Sequence, residues 1–399
     1  MVIRTEGDQE GATRSRDRSA RLSLADTWPV ISVCVCTHAR PHYLAKCLDG
    51  LRTQTVGADA FEVIVVDSGS PPACAAMIAE LASGFPNARL LRLDEAGVSI
   101  ARNAGARTAT GDYVAYIDDD AVAAPDWVEQ IRRVIQEEDR PPAVVGGRVL
   151  PLWEQPLPEW WPESLRGVLS IVEFEGKGEY RTPDLPAGMA PWSVNMVIDR
   201  AAMLQLGGFD ERLGRYANLL LSDEDVQLAW RLQESGRSAR YDSRIVVRHS
   251  IQAERLSPEW LVARLYWQGF STVVTRRLMC EQHPVKREFR RRLAVEALCT
   301  PAALLPPSST RLLSLRWRLA YAKGFTRAAL GCVPGKRARL RDLAMELMGR
   351  HAGSPGARLF GGVVAAGGEP GVAAGYCASE PMAGREAKGA GQRDSQAAC

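Results

Sequence analysis

Residues 111–127 read GDYVAYIDDDAVAAPDW, and this stretch decides the fold. Residues 113–117 are apolar or aromatic at every position, so they suit a strand buried on both faces rather than one alternating between core and water. Asp118, Asp119 and Asp120 follow at once. Residues 125–136 then read as a helix with Pro125 at its start, where the missing N–H costs nothing. A doubly buried strand that ends in acids and runs into a helix is a unit of a parallel sheet.

Working outward, the same alternation recurs. Residues 30–36, 61–66 (FEVIVV) and 89–93 read as strands, and residues 42–51 and 99–109 as helices. Downstream come a strand at 193–198, a short helix, the turn Gly207-Gly208-Phe209-Asp210, a helix at 222–234, a strand at 239–248 and a helix at 259–275. Apolar strands separated by helices predict an α/β, doubly wound sheet covered on both sides. Ligands bind beyond the carboxyl ends of such strands, where Asp67 and the three aspartates fall. Residues 151–191, rich in Pro, Trp and Glu, are expected to supply long loops around a pocket.

The 399 residues are 46% apolar with a net charge of +3, enough for a substantial core and no extreme of charge. No apolar run reaches the ~18–20 residues of a membrane span. Residues 1–25 carry no secretory pattern, so a cytoplasmic protein with reduced thiols is expected. Nine cysteines stand without CxxC spacing, and Cys34 and Cys36 read as small buried hydrophobes. The expected division is a disordered segment at 1–27, a catalytic domain at 28–280, a basic helical extension at 281–350 and a disordered Gly/Ala-rich tail at 351–399. The basic region at 286–341, with Trp317 and Phe325 among its arginines, suits either a solvated subdomain closing the acceptor site or peripheral contact with the inner face of an anionic membrane. No nucleic-acid recognition module is present, and no nucleic acid is expected as partner.

Six constellations carry chemistry. Adjacent carboxylates at 118–120 repel unless a cation compensates, and a divalent ion bridging a diphosphate would do so; a solvated acidic turn is the plainer alternative. Asp67 in DSGS can accept from a base N–H or close an Asx-turn. Thr37 and Arg40 in CTHARP can meet base, ribose or phosphate, or serve as turn chemistry before Pro41. Gly97 to Gly105 (GVSIARNAG) opens a helix whose amides suit an anion, with Arg102 adding a fixed charge. Ser222-Asp223-Glu224-Asp225 opens another helix: Ser222 and Asp225 can form a capping box, and Asp225 can take a proton if its site is desolvated. His249 ends a strand, as a structural side chain or as a ligand.

In order along 30–277, VCVCTHARP, VIVVDSGS, GVSIARNAG, GDYVAYIDDDAVAAPDW, GGFDE and SDEDVQLAWRL resemble the inverting glycosyltransferases of family 2, which have the GT-A fold with a mixed sheet. The resemblance implies a metal-dependent, hexosyltransferase-type enzyme using Mn²⁺ or Mg²⁺. It would move a sugar from a nucleotide diphosphate, UDP by default, to a hydroxyl or amine of a glycan, lipid-linked glycan or natural product. Thr37, Arg40, Asp67, Arg102, Asp118 and Asp119 match nucleotide-binding positions, Asp120 and His249 metal ligands, and Asp225, beside Glu224, the catalytic base. CTHARP departs from the family's more frequent Thr-Tyr-Asn run, and three consecutive aspartates leave the division between Asp118 and Asp119 open. Nucleotidyl transfer would need a Gly-rich loop after the first strand, and a phosphatase would leave Asp67 and Glu224-Asp225 unexplained. The rival of another class is a GT-A-fold binding subunit without activity, acting through the basic helices.

Overall fold

The computed structural model describes residues 30–181, 190–216, 219–279, 282–303 and 310–331. The expectations for 1–27, 332–350 and 351–399 lie outside them. Nine strands form one sheet in the order β3-β2-β1-β4-β8-β6-β9-β5, with β7 beside β9. Its first half is parallel: β1 (Ile31–Thr37), β2 (Phe61–Ser68), β3 (Ala88–Leu93) and β4 (Tyr113–Asp118) all run one way. β8 (Asn195–Asp199) then joins β4 antiparallel, and β6 (Val144–Trp153) joins β8 antiparallel. β9 (Ala239–Ile251) is parallel to β6, and β5 (Ala121–Ala123) and β7 (Lys177–Glu179) are antiparallel to β9. The sheet is therefore mixed rather than wholly parallel: one half follows the doubly wound rule and the other carries the antiparallel additions.

Helices α1 (Pro41–Arg52), α2 (Pro72–Ser83), α3 (Val98–Thr108), α4 (Trp127–Gln136), α5 (Arg200–Gln205) and α6 (Glu224–Glu234) pack around this sheet. α1 starts at Pro41, where proline is tolerated. α4 corrects the expectation for Pro125: the helix begins two residues later, because the Trp127 amide donates to the Ala124 carbonyl (3.0 Å) and leaves Pro125 inside a turn. α3 lies close on β1 because Gly105 has no Cβ; one there would overlap the Cys34 sulfur. Cys34 is buried as expected, and its sulfur lies 3.9 Å from that of Cys36 with both thiols free. The described residues of the 151–191 region, 151–181 and 190–191, are less loop-like than expected, holding the end of β6, a 3₁₀ segment at Glu163–Leu169 and β7.

A second apolar cluster stands apart from the sheet. It joins the 3₁₀ segment, α7 (Pro258–Leu278) and α9 (Thr310–Ala329), with α8 (Gln282–Ala303) alongside. Trp160, Trp161, Trp260 and Trp317 meet there at centroid separations of 5.4–6.4 Å. Trp317 and Phe325 are buried against α7 and face no membrane surface. The cluster crosses the expected boundary at 280/281, so the two parts share one core.

Candidate active site

The parallel register pairs Thr37 with Asp67 and Cys36 with Asp118, so the carboxyl ends of three strands arrive at one level. A cavity of about 370 Å³ opens there, and Thr37, Arg40, Arg102, Asp118, Glu224 and Asp225 are among its lining residues. β1, β4 and α6, far apart in the chain, are thus brought to one wall.

Arg102 is the tie between β4 and α6. Its Nη1 donates to Glu224 Oε1 at 2.7 Å and its Nη2 to Asp118 Oδ1 at 3.2 Å. Burial disfavours its charge, but Asp118 and Glu224 outweigh that and keep it firmly protonated. Arg40 makes a second tie: Nη1 donates to Asp120 Oδ2 at 2.8 Å, and Nη2 pairs with Asp119 Oδ1. Thr37 Oγ1 donates to Asp119 Oδ2 at 2.7 Å. Asp119 and Asp120 themselves are buried and do not line the cavity.

These neighbours split the pair electrostatically. Burial pushes Asp119 up to about 7, against Arg40 and with help from the Asp120 charge. Burial acts on Asp120 too, but Arg40, His249 and Arg255 overcome it and hold that carboxyl well below the usual range. Asp120 Oδ2 also accepts from Gln252 Nε2 (2.9 Å) and Arg255 Nη2 (3.2 Å), neither of which sequence reasoning singled out. Both sit just past β9, and spacing alone gives no signal that they turn back toward residue 120.

Asp120 Oδ1 has no hydrogen-bond partner among the described residues, though it is buried. His249 Nε2 stands 3.4 Å away, while His249 Nδ1 lies 3.2 Å from the Leu169 carbonyl. A carbonyl can only accept, so Nδ1 carries the proton; in the neutral ring the Nε2 lone pair faces Asp120 Oδ1 and also accepts from Arg255 Nη1 at 3.4 Å, a contact a bound cation would displace. A carboxylate oxygen and an imidazole lone pair facing each other at this separation fit a divalent cation, which would take further ligands from phosphate and water. Among the described residues no three His, Cys, Asp or Glu side chains form a complete metal cage.

Asp67 is not brought into the cavity. Its Oδ1 accepts the Ser70 amide at 3.0 Å and its Oδ2 pairs with Arg92 Nη1, so the turn-closing arrangement is the one adopted. The helix start at Gly97 is also partly used: Ser68 Oγ accepts the Gly97 amide (2.9 Å) and the Arg215 carbonyl accepts that of Val98 (3.0 Å).

The acidic opening of α6 departs from the capping-box expectation. The N-cap is Asp223, at φ 70° in the left-handed region, and its carboxylate accepts from Gln268 Nε2 of α7 (2.9 Å). Ser222 contacts Asp223 and Gln268 rather than Asp225. Asp225 is thereby free of capping duty. Its Oδ2 accepts from the amide (3.1 Å) and hydroxyl (3.2 Å) of Ser193, and its Oδ1 from the Val226 amide (2.8 Å). Burial raises Asp225 to about 7, with Glu224 adding, and Arg102 and the two amides opposing. Desolvation therefore wins over the helix dipole. Trp192 also lines the cavity. Trp160 and Trp161 do not: both belong to the second core.

Comparison with known proteins places the chain in a family. Residues 32–185 match glycosyl transferase family 2. The glucosyl-dolichyl phosphate glucuronosyltransferase of Haloferax volcanii is 30% identical over 245 residues, which is 60% of this chain and 75% of that protein. The pre-mycofactocin glycosyltransferase of Mycobacterium tuberculosis is 29% identical over 55% of this chain; the chain spans only 43% of that protein. Among solved structures, mannosyltransferase PcManGT from Pyrobaculum calidifontis, in complex with GDP-Man and Mn²⁺, covers 81% of each chain at 18% identity and a TM-score of 0.44. On the family match and on the Haloferax relative, spanned over three quarters of its length, the chain belongs to glycosyltransferase family 2, a family of enzymes.

Proposed function

We propose that the protein is a metal-dependent inverting glycosyltransferase that moves a sugar from a nucleoside diphosphate, UDP by default, to a hydroxyl or amine of a glycan, lipid-linked or natural-product acceptor. The observation that carries this reading is that one cavity is lined by Asp225, with its raised carboxyl, and by the Asp118 end of the acidic run. Thr37, Arg40, Arg102 and Asp118 form the donor wall, and Asp119, buried behind them, holds Thr37 and Arg40 in place. Asp67 would reach a base only if Arg92 gave way. Asp120 Oδ1 and His249 Nε2 would hold Mn²⁺ or Mg²⁺, and a bound ion would supply positive charge to the departing diphosphate.

The chain's own residues do the rest. Asp225 accepts the acceptor's proton as the nucleophile closes on the anomeric carbon from the side away from the nucleotide. Its two bound amides fix its orientation, and its value near neutrality matches the task. Glu224 keeps Arg102 in place and adds charge that makes Asp225 more basic.

Peripheral contact with the inner face of a membrane through the 286–341 region narrows to α8. Its Lys286, Arg287, Arg290 and Arg291 are exposed beside the exposed Leu293 and Leu298, whereas the aromatic side chains of α9 face inward. The reaction is tested by thermal-shift titration of UDP-, GDP- and TDP-sugars with and without Mn²⁺, repeated on Asp120→Ala. Donor stabilisation that grows with Mn²⁺ is expected for the natural chain and not for the variant. Equal Mn²⁺ dependence in both would contradict the assignment of Asp120, and no stabilisation by any donor would overturn the reading.

A further inference from the structure

The cations around the cavity are not equivalent. Arg40, Arg102 and Arg255 each spend their guanidinium on a carboxylate: Asp119 and Asp120, Asp118 and Glu224, and Asp120 respectively. Arg215 lines the same cavity, partly buried, and its guanidinium forms no ion pair and no hydrogen bond with any described residue. Burial pulls its pKa down to about 10, Arg255 and Arg40 push the same way, and Asp120 and Asp118 act against them. A half-buried cation without a counter-ion is incompletely hydrated, and an arriving anion offsets that cost.

Its backbone is fixed. The Arg215 carbonyl accepts the Val98 amide at 3.0 Å, and the Leu213 carbonyl accepts Ser99 Oγ at 2.7 Å. Gly214, at φ 85°, lies so close to Val98 and Ser99 that a Cβ would stand 2.6–2.7 Å from their side chains. The segment before Arg215 is therefore laced to the first turn of α3, where a negative ligand is also favoured by the helix dipole.

We propose that Arg215 binds the diphosphate of the donor, its planar guanidinium taking two phosphate oxygens. This rests on the donor reading above and assigns a residue that reading does not include. Arg40 and Arg102 then act as girders for the acidic residues, and Arg215 is the side chain that meets the leaving group. Bidentate guanidinium–phosphate contacts are among the stronger charge-assisted hydrogen bonds, and they strengthen as charge builds on the leaving oxygen.

The test uses the full chain in EDTA, so that a metal contributes nothing. UDP, GDP and TDP are titrated calorimetrically into the natural protein, Arg215→Ala and Arg215→Lys, and the corresponding nucleosides are followed by saturation-transfer NMR. We expect Arg215→Ala to weaken the nucleoside diphosphate that binds by about ten-fold or more, Arg215→Lys to recover part of it, and nucleoside binding to be unchanged. The Tm of the ligand-free Arg215→Ala protein should equal or exceed that of the natural chain, because an unpaired charge has been removed; a side chain needed for folding would lower it. Unchanged diphosphate affinity in Arg215→Ala overturns the proposal while leaving the donor reading intact. So does a parallel loss of nucleoside binding with a lowered Tm. If the natural protein binds none of the three nucleoside diphosphates in EDTA, the Arg215 proposal falls, and the donor reading falls with it only if Mn²⁺ restores no binding.

Discussion

Asp225 accepts three hydrogen bonds and still sits near neutrality, and this has two measurable consequences of opposite sign. A base must be deprotonated, so kcat/KM should rise with pH through about 7 and flatten above it. Asp225→Asn should cut kcat by about 10²–10⁴-fold with donor affinity little changed. Stability should run the other way. Asp119 and Asp225 near 7 and Asp223 near 6 all lie above their ordinary value of 3.8, so the folded state holds extra protons between those limits. Their contribution is present below the unfolded value and is lost as pH climbs through the folded one. The ligand-free protein should therefore melt at a higher temperature at pH 6 than at pH 8, where it is more active. A scan that rises toward pH 8 would contradict these raised carboxyls.

Among the elements, α7 and α9 cross at two glycines. A Cβ on Gly269 would overlap the Tyr321 carbonyl oxygen, and one on Gly324 the Tyr266 carbonyl oxygen, so each helix rests on the other's backbone. Gly269→Ala or Gly324→Ala should cost about 1–3 kcal/mol or more by overpacking, read as a lower urea midpoint at unchanged slope. The strands and helices of the sheet were legible because their apolar periodicity is local: β1, β2 and β4 fall within two residues of their expected bounds. The ten-residue strand β6, the three-residue strands β5 and β7 and the helix α2 were missed; β5 and β7 are too short to offer a period, and the Gly146-Gly147 pair and Pro151 interrupt the apolar run of β6. The site divides the same way. Asp118 to Asp120, Asp225 and His249 stand at strand or helix ends, where position marks them. Gln252 and Arg215 lie on irregular backbone and Arg255 in a short 3₁₀ turn, and only the folded path brings them near Asp120 and the cavity. Asp67 misled because a turn-closing aspartate and a base-reading one look alike until Arg92 of β3 is placed beside it.

Taken whole, the molecule joins a mixed sheet to a helical cap through a shared core rather than a linker. None of the described helices is long and apolar enough to cross a membrane. The surface question reduces to α8, whose exposed face begins with Lys286, Arg287, Arg290 and Arg291 and ends with Leu298, 79% exposed. If that face meets anionic lipid, the protein should co-sediment with phosphatidylglycerol vesicles at low salt and lose this on charge reversal of Arg287 and Arg290. No sedimentation of the natural chain at low salt would remove the membrane contact and leave α8 as a solvated outer helix.

The glycine crossing also bears on the order in which the chain is made. A ribosome delivers the whole sheet and then α7 before any of α9 exists, and domains generally fold as they emerge. During that interval Gly269 and the apolar neighbours it shares with Tyr321 and Phe325 face water. The nascent chain therefore carries the cavity-bearing sheet and an unfinished flank at the same moment. It is in this window, rather than in the finished protein, that a trigger-factor-like holdase would find its grip.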